Sequence, residues 1–130
     1  MRSNKTASEK FSLTAEITFD FNVLISKHAQ SRQIGLGRSV LKYYDLTPIE
    51  TTDIMSIIDR SKTSIVKYIL DGEIENQSNF VITDTNKKIS LAITASMRSL
   101  IRWKLTIKTV FRFNDKVILK KHNKELEIVL

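Results

Sequence analysis

The sequence predicts an α+β fold, and three observations carry that expectation. The first is perfect alternation near the start: Phe11, Leu13, Ala15, Ile17, Phe19 and Phe21 share one parity, and Ser12, Thr14, Glu16, Thr18, Asp20 and Asn22 share the other. Side chains on a strand alternate between faces, so this stretch reads as a strand with one buried and one polar face. The second is a pair of helical patterns between Val23 and Asp71. The third is a run of strand-like segments from Phe80 to the end, separated by turn residues. The expected order is an N-terminal strand, two helices, then a four- to five-stranded antiparallel sheet. Both helices would pack on one face and leave the other open and basic. Polar residues 1–10 read as a flexible tail, and residues 11–130 as a single α+β domain.

Each element has a local reason. Val23 to Leu36 reads as a helix with Asn22 as N-cap, ended by Gly35 and Gly37. Ser39 to Tyr44 fits a short helix or a strand equally well. Thr47-Pro48-Ile49-Glu50 has the form of a capping box, with Thr47 at N-cap, Pro48 at N1 and Glu50 at N3. Ile54, Ile57, Ile58, Ile65 and Ile69 continue that helix at helical spacing, with a break point near Ser61 to Ser64, and Asp71-Gly72 closes it. Phe80 to Thr83 and Ile89 to Ala95 flank the turn Asp84 to Lys88 as a hairpin. Ser96 to Leu100 leads into a long strand, Arg102 to Phe113. Short strands are expected at Val117 to Lys120 and Leu126 to Leu130.

Composition narrows the function classes. The chain has 130 residues, 42% hydrophobic, and no cysteine, which excludes disulfides, thiol catalysis and thiolate metal sites. It is compatible with a reducing cytoplasm. No apolar run approaches the ~18 residues of a membrane span. No basic amphipathic helix points to a membrane surface, and residues 1–10 lack a signal-peptide core. The net charge is +7 and the sequence pI about 9.7. Nine Lys or Arg fall between Arg98 and Lys124 against one acid, Asp115.

Much of this basic stretch is the strand Arg102 to Phe113. Trp103, Leu105, Ile107, Phe111 and Phe113 share one parity, and Arg102, Lys104, Thr106, Lys108 and Arg112 share the other. An ordered cationic strand suits a phosphate-rich partner, RNA ahead of DNA. A solvated sheet face would give the same pattern.

His28 and Arg32 are one helical turn apart, so both can approach one phosphate. Histidine carries protons near neutral pH, and arginine offsets charge developing on a phosphoryl group. Metal-free RNA cleavage needs such a set, with a base for the 2′-OH and cations for the phosphorane. His28, Arg32, Lys108 and Arg112 are therefore the candidate catalytic residues. Arg38, Arg102, Lys104, Lys116, Lys120 and Lys121 are candidate phosphate contacts. A solvated histidine on an amphipathic helix is the alternative for His28, and a solvated turn for His122.

Two distant histidines make no metal site, and no Walker, dinucleotide or nucleophile-elbow pattern is present. No cofactor is expected. Asp71, Glu73, Glu75 and Asp84 read as structural or solvated. Tyr43, Tyr44 and Tyr68 are candidate stacking platforms for bases. Phe11, Phe19, Phe21, Trp103, Phe111 and Phe113 read as core.

The helix His28-Ala29-Gln30-Ser31-Arg32, a second helix opened by Thr47-Pro48-Ile49-Glu50-Thr51-Thr52-Asp53-Ile54, and the following sheet resemble the RelE-like (barnase/colicin/RelE-type) endoribonuclease superfamily. Members with a His-Ala-x-x-Arg helix end in strands containing Thr-Val, and Thr109-Val110 occupies a similar place. The likeness covers about residues 23–113. It implies metal-independent RNA cleavage, with a ribosome or an inhibitor protein as further partners. This chain departs from the pattern in the spacing between its helices and in Gly35-Leu36-Gly37-Arg38. Thr109 also shares parity with Trp103 and would face the core unless a bulge turned it.

Three readings follow: an endoribonuclease acting by 2′-OH attack, a non-catalytic RNA- or DNA-binding regulator on the same sheet face, and a small protein-interaction or inhibitor module of phage or mobile-element origin.

Overall fold

The computed structural model describes residues 18–33, 44–45, 47–113 and 126–130. It contains strand β1 (Asp20–Ile25), helix α1 (Lys27–Gln33), the two-residue strand β2 (Tyr44–Asp45) and helix α2 (Thr51–Leu70). Strands β3 (Ser78–Asp84), β4 (Ile89–Ser99), β5 (Arg102–Phe113) and β6 (Leu126–Val129) follow. The tail 1–10 and the expected strand Val117 to Lys120 lie outside the described residues.

The architecture is α+β, with one sheet in the order β1-β5-β4-β3-β6 and β2 paired onto β5. The sheet is mixed where the sequence suggested antiparallel pairing. Central pairs β3–β4 and β4–β5 are antiparallel hairpin neighbours, but β1 joins β5 in parallel and β6 joins β3 in parallel. Periodicity reports which face a residue takes and is blind to strand direction, so the outer pairings carried no sequence signal.

The first face of the sheet holds the core. Phe80 and Ile82 of β3, Leu91, Ile93 and Ala95 of β4, and Trp103, Leu105 and Ile107 of β5 are all buried there. Helix α2 covers this face with Ile54, Ile57, Ile58 and Ile65, each 2% exposed or less. Full burial of each such side chain contributes roughly 1.5–3 kcal/mol.

Helix α2 is unbroken over its twenty residues. Ser61, the expected weak point, is fully buried and its hydroxyl donates to the Ile57 carbonyl one turn back, so the polar group costs little inside the packed face. The helix starts later than the capping-box pattern suggests. Glu50, not Thr47, is the N-cap, and no side chain caps the first turn. Gln33 at the end of α1 takes over the anchoring: its amide donates to the Ile49 carbonyl and the Thr51 hydroxyl, and its own carbonyl accepts from Ile49. At the other end Asp71-Gly72 terminates the helix as expected. Gly72 has φ +80, its amide donates to Ile69, and Glu73 donates to Tyr68, which together form a Schellman cap.

The first helix is shorter than its sequence pattern. Val23, Leu24 and Ile25 continue β1, pairing with Leu105, Thr106 and Ile107, and Ser26 replaces Asn22 as the N-cap. The β-branched Val23 and Ile25 pair well along a sheet, and this tertiary gain overrides weak helix propensity.

The β3–β4 turn is pinned from within. Asp84 is 1% exposed, accepts from the amides of Asn86 and Lys87, and pairs with Arg60 of α2. Burial pushes its carboxyl up, but the Arg60 hydrogen bond, the Lys87 amide, the Arg60 charge and the Asn86 amide outweigh burial and hold it below its ordinary value. Lys87 adds an ion pair with Asp53.

Candidate nucleic-acid interface

Strand β5 does not keep one alternation throughout. Ala92 of β4 pairs with Thr109 while Ile93 pairs with Ile107, so Lys108 is an extra residue: a β-bulge. Before the bulge, Trp103, Leu105 and Ile107 face the core. After it, Val110 is the buried residue and shares its face with Arg112.

The bulge corrects two expectations. Arg112 leaves the basic face and turns toward the helix side, donating to the carbonyls of Lys87 and Pro48. It is a structural tie between the β3–β4 turn and the start of α2, and it does not join His28. Phe111 moves to the opposite face and is half-buried there, opposite Ser90. Thr109 is the residue a bulge was needed to turn. It lies beside Lys108, and both line one cleft on the second face.

Helix α1 stands over this bulge because Ser26 fixes it there. The Ser26 hydroxyl accepts from the Ala29 amide as an N-cap and donates to the Lys108 carbonyl, while the Ser26 amide donates to Ile107. One side chain thus sets the start of the His28 helix against the bulged residue. Ala29 and Gln33 bury the inner side of α1, which leaves His28 toward the cleft.

The cleft has a volume of about 310 Å³ and is lined by His28, Asn79, Phe80, Ala92, Ile93, Lys108 and Thr109. Arg32 reaches it indirectly: its Nε–H donates to His28 Nε2 at 3.3 Å. In the neutral imidazole the proton is therefore on Nδ1. Of the four expected catalytic residues, the fold brings His28, Arg32 and Lys108 together, from elements far apart in the chain. Asn79 and Thr109 belong to the same site. No periodicity marked Asn79, because its place follows from strand order.

Among the described residues the second face carries Arg102, Lys104 and Lys108 along β5, with Arg98 of β4 at a second register shift beside Arg102. The neighbouring positions are neutral: Asn22 and Ser96 flank Lys104, and Thr94 flanks Thr106. Asp20 pairs in register with Arg102 and places an acid beside it. Toward the β6 end the face is closed, with Thr83 and Ser90 buried in a chain of hydroxyls ending on Glu127. Arg38, Lys116, Lys120, Lys121, His122 and Tyr43 lie outside the described residues. Tyr68, on α2, is partly buried against the core and does not line the cleft.

Among the described residues no helix is long and apolar enough to cross a membrane. No protein-family model, curated protein or solved structure matches this chain.

Proposed function

We propose that this protein binds RNA at the His28 cleft and cleaves it by attack of a ribose 2′-OH on the adjacent phosphate. The observation that carries the reading is that His28 and Lys108 line one open cleft, with Arg32 bonded to His28. The RelE-like pattern of residues 23–113 points the same way.

The chemistry divides among the three side chains. An incoming phosphate competes for the Arg32 guanidinium and draws it off His28, which frees Nε2 as the base. Nε2 takes the 2′ proton as O2′ bonds to phosphorus. Arg32 and Lys108 offset the added charge on the phosphorane oxygens. The 5′ oxygen departs with a proton from water, leaving a 2′,3′-cyclic phosphate and a 5′-hydroxyl.

The same hydrogen bond favours a second reading. With Nε2 held by Arg32, the cleft is a ready phosphate-binding site without an active base, as a non-catalytic regulator requires.

Incubation with labelled single-stranded RNA and DNA in EDTA separates the two. Cleavage of RNA alone, lost in His28→Ala and reduced in Lys108→Ala, supports the nuclease. A salt-sensitive shift without cleavage supports the regulator. Absence of both overturns nucleic-acid recognition and favours a protein partner.

A further inference from the structure

Asn79 lies at the far side of the cleft from Lys108, on β3, with β4 between them. Two strand spacings and an offset of two residues along the strands put the backbones of Lys108 and Asn79 about 12 Å apart, a span that a nucleotide bridges between two side chains reaching toward it. Asn79 pairs with Thr94, and Ala92 pairs with Val81 and Thr109, so the path from Lys108 to Asn79 runs diagonally past the small side chain of Ala92, which lines the same cleft.

The amide of Asn79 is also oriented. The Thr94 hydroxyl, on the neighbouring strand, donates to Asn79 Oδ1 at 2.6 Å. This bond engages the accepting side of the amide and turns the donating Nδ2 side away from Thr94. An asparagine reads adenine with both sides at once, accepting from the amino group and donating to the ring nitrogen. Oδ1 already accepts from Thr94, so the side of the amide directed away from Thr94 is Nδ2, and a donor is what Asn79 presents.

We propose that Asn79 is a specificity-determining residue that selects keto bases, uracil or guanine, by donating from Nδ2 to the base carbonyl. The inference rests on the RNA reading above and adds to it which nucleotides the site accepts. A nucleotide then lies across the sheet, its phosphate at Lys108 and Arg32 and its carbonyl edge at Asn79.

Asn79→Asp is the informative variant. An aspartate still accepts from Thr94, so the local geometry is kept, but its outward oxygen accepts where Nδ2 donated. The experiment measures binding of wild type, Asn79→Asp and Asn79→Ala to oligo(U) and oligo(C) of equal length, with folding of each variant checked by circular dichroism. The base preference is the ratio of the two affinities, which cancels the uniform loss that an added negative charge imposes. Wild type is expected to favour oligo(U) by about tenfold, the worth of one hydrogen bond in a partly desolvated site. Asn79→Ala should bring the ratio near one. Asn79→Asp should reverse it, because cytosine carries an amino group. Equal affinities in wild type, or an unchanged ratio in both variants, would overturn the proposal while leaving RNA binding intact. No binding of either oligomer at low salt would overturn the RNA reading and this one with it.

Discussion

Individual side chains near the cleft divide into those that hold the fold and those that face a ligand, and substitution distinguishes them. Arg112 and Lys108 are both cations of β5, four residues apart, yet the bulge gives them opposite tasks. Arg112 bonds two backbone carbonyls on the helix side, so Arg112→Ala should cost about 1–3 kcal/mol in urea denaturation. Lys108 is exposed, so Lys108→Ala should leave stability within ~0.5 kcal/mol. It should instead weaken RNA binding and reduce the salt slope by about 0.7. Asp84 gives a pH-dependent counterpart. Its folded pKa lies below its ordinary value, so its contribution is complete above the unfolded pKa of about 3.9 and is lost as pH falls through the folded value. Asp84→Asn should therefore destabilise by about 2 kcal/mol at pH 7. The gap between variant and wild type should narrow as acid is added, and a gap independent of pH would refute this account of the carboxylate.

Among the elements, helix α1 depends most on a single contact. Ser26 caps it and ties it to the bulge. Ser26→Ala should cost about 1 kcal/mol by loss of the cap. It should also reduce RNA binding more than its stability cost explains, because His28 loses its register against Lys108. Measuring both quantities on the same variant tests the coupling. Helix α2 was readable in the sequence at its C-terminus and not at its N-terminus. Asp71-Gly72 is a local signal whose outcome, the left-handed Gly72, is decided within a few residues. Thr47-Pro48-Ile49-Glu50 is an equally local signal, but Gln33 engages Ile49 and Thr51 from another element, so a tertiary contact decided where the helix begins. The same contrast explains β1. Alternation was read over Phe11 to Asn22, of which β1 takes only Asp20, Phe21 and Asn22, residues 11–17 lying outside the described residues, and pairing with β5 carries the strand through Val23, Leu24 and Ile25. Within the candidate site, His28 and Arg32 were legible because their relation is one helical turn. Asn79 was not, because strand order alone brings it within reach of them.

For the whole molecule, one inserted residue decides which side chains of β5 face α2 and which face the cleft. The alternation of Trp103, Leu105 and Ile107 would continue to Thr109 and Phe111 in a regular strand, burying a hydroxyl and exposing Val110. Lys108 prevents this by sharing the second face with Thr109 opposite Ala92. The consequence is counter-intuitive. Deleting Lys108 removes the bulge, yet leaves Ile107 and Val110 on the core face with Thr109 between them on the other. The deletion variant should thus fold cooperatively, losing roughly 1–2 kcal/mol for the missing contact between Ser26 and the Lys108 carbonyl. Deleting Thr106 is the control. It places Ile107, fully buried in the native sheet, directly after Leu105 and so on the wrong face. The lost bulge restores the face of Val110, but Ile107 is turned out and Lys108 turned in, at a cost of ~4 kcal/mol or more for the expelled isoleucine and the cavity it leaves. That is a large share of the total stability of a domain this size. Circular dichroism and urea denaturation of the two deletions settle the matter. A folded Lys108 deletion beside an unfolded Thr106 deletion places the register change at Lys108. The folded variant, with its cation gone and the cap of α1 loosened, should then show much weaker RNA binding than Lys108→Ala, since it loses the geometry of the cleft as well as the charge.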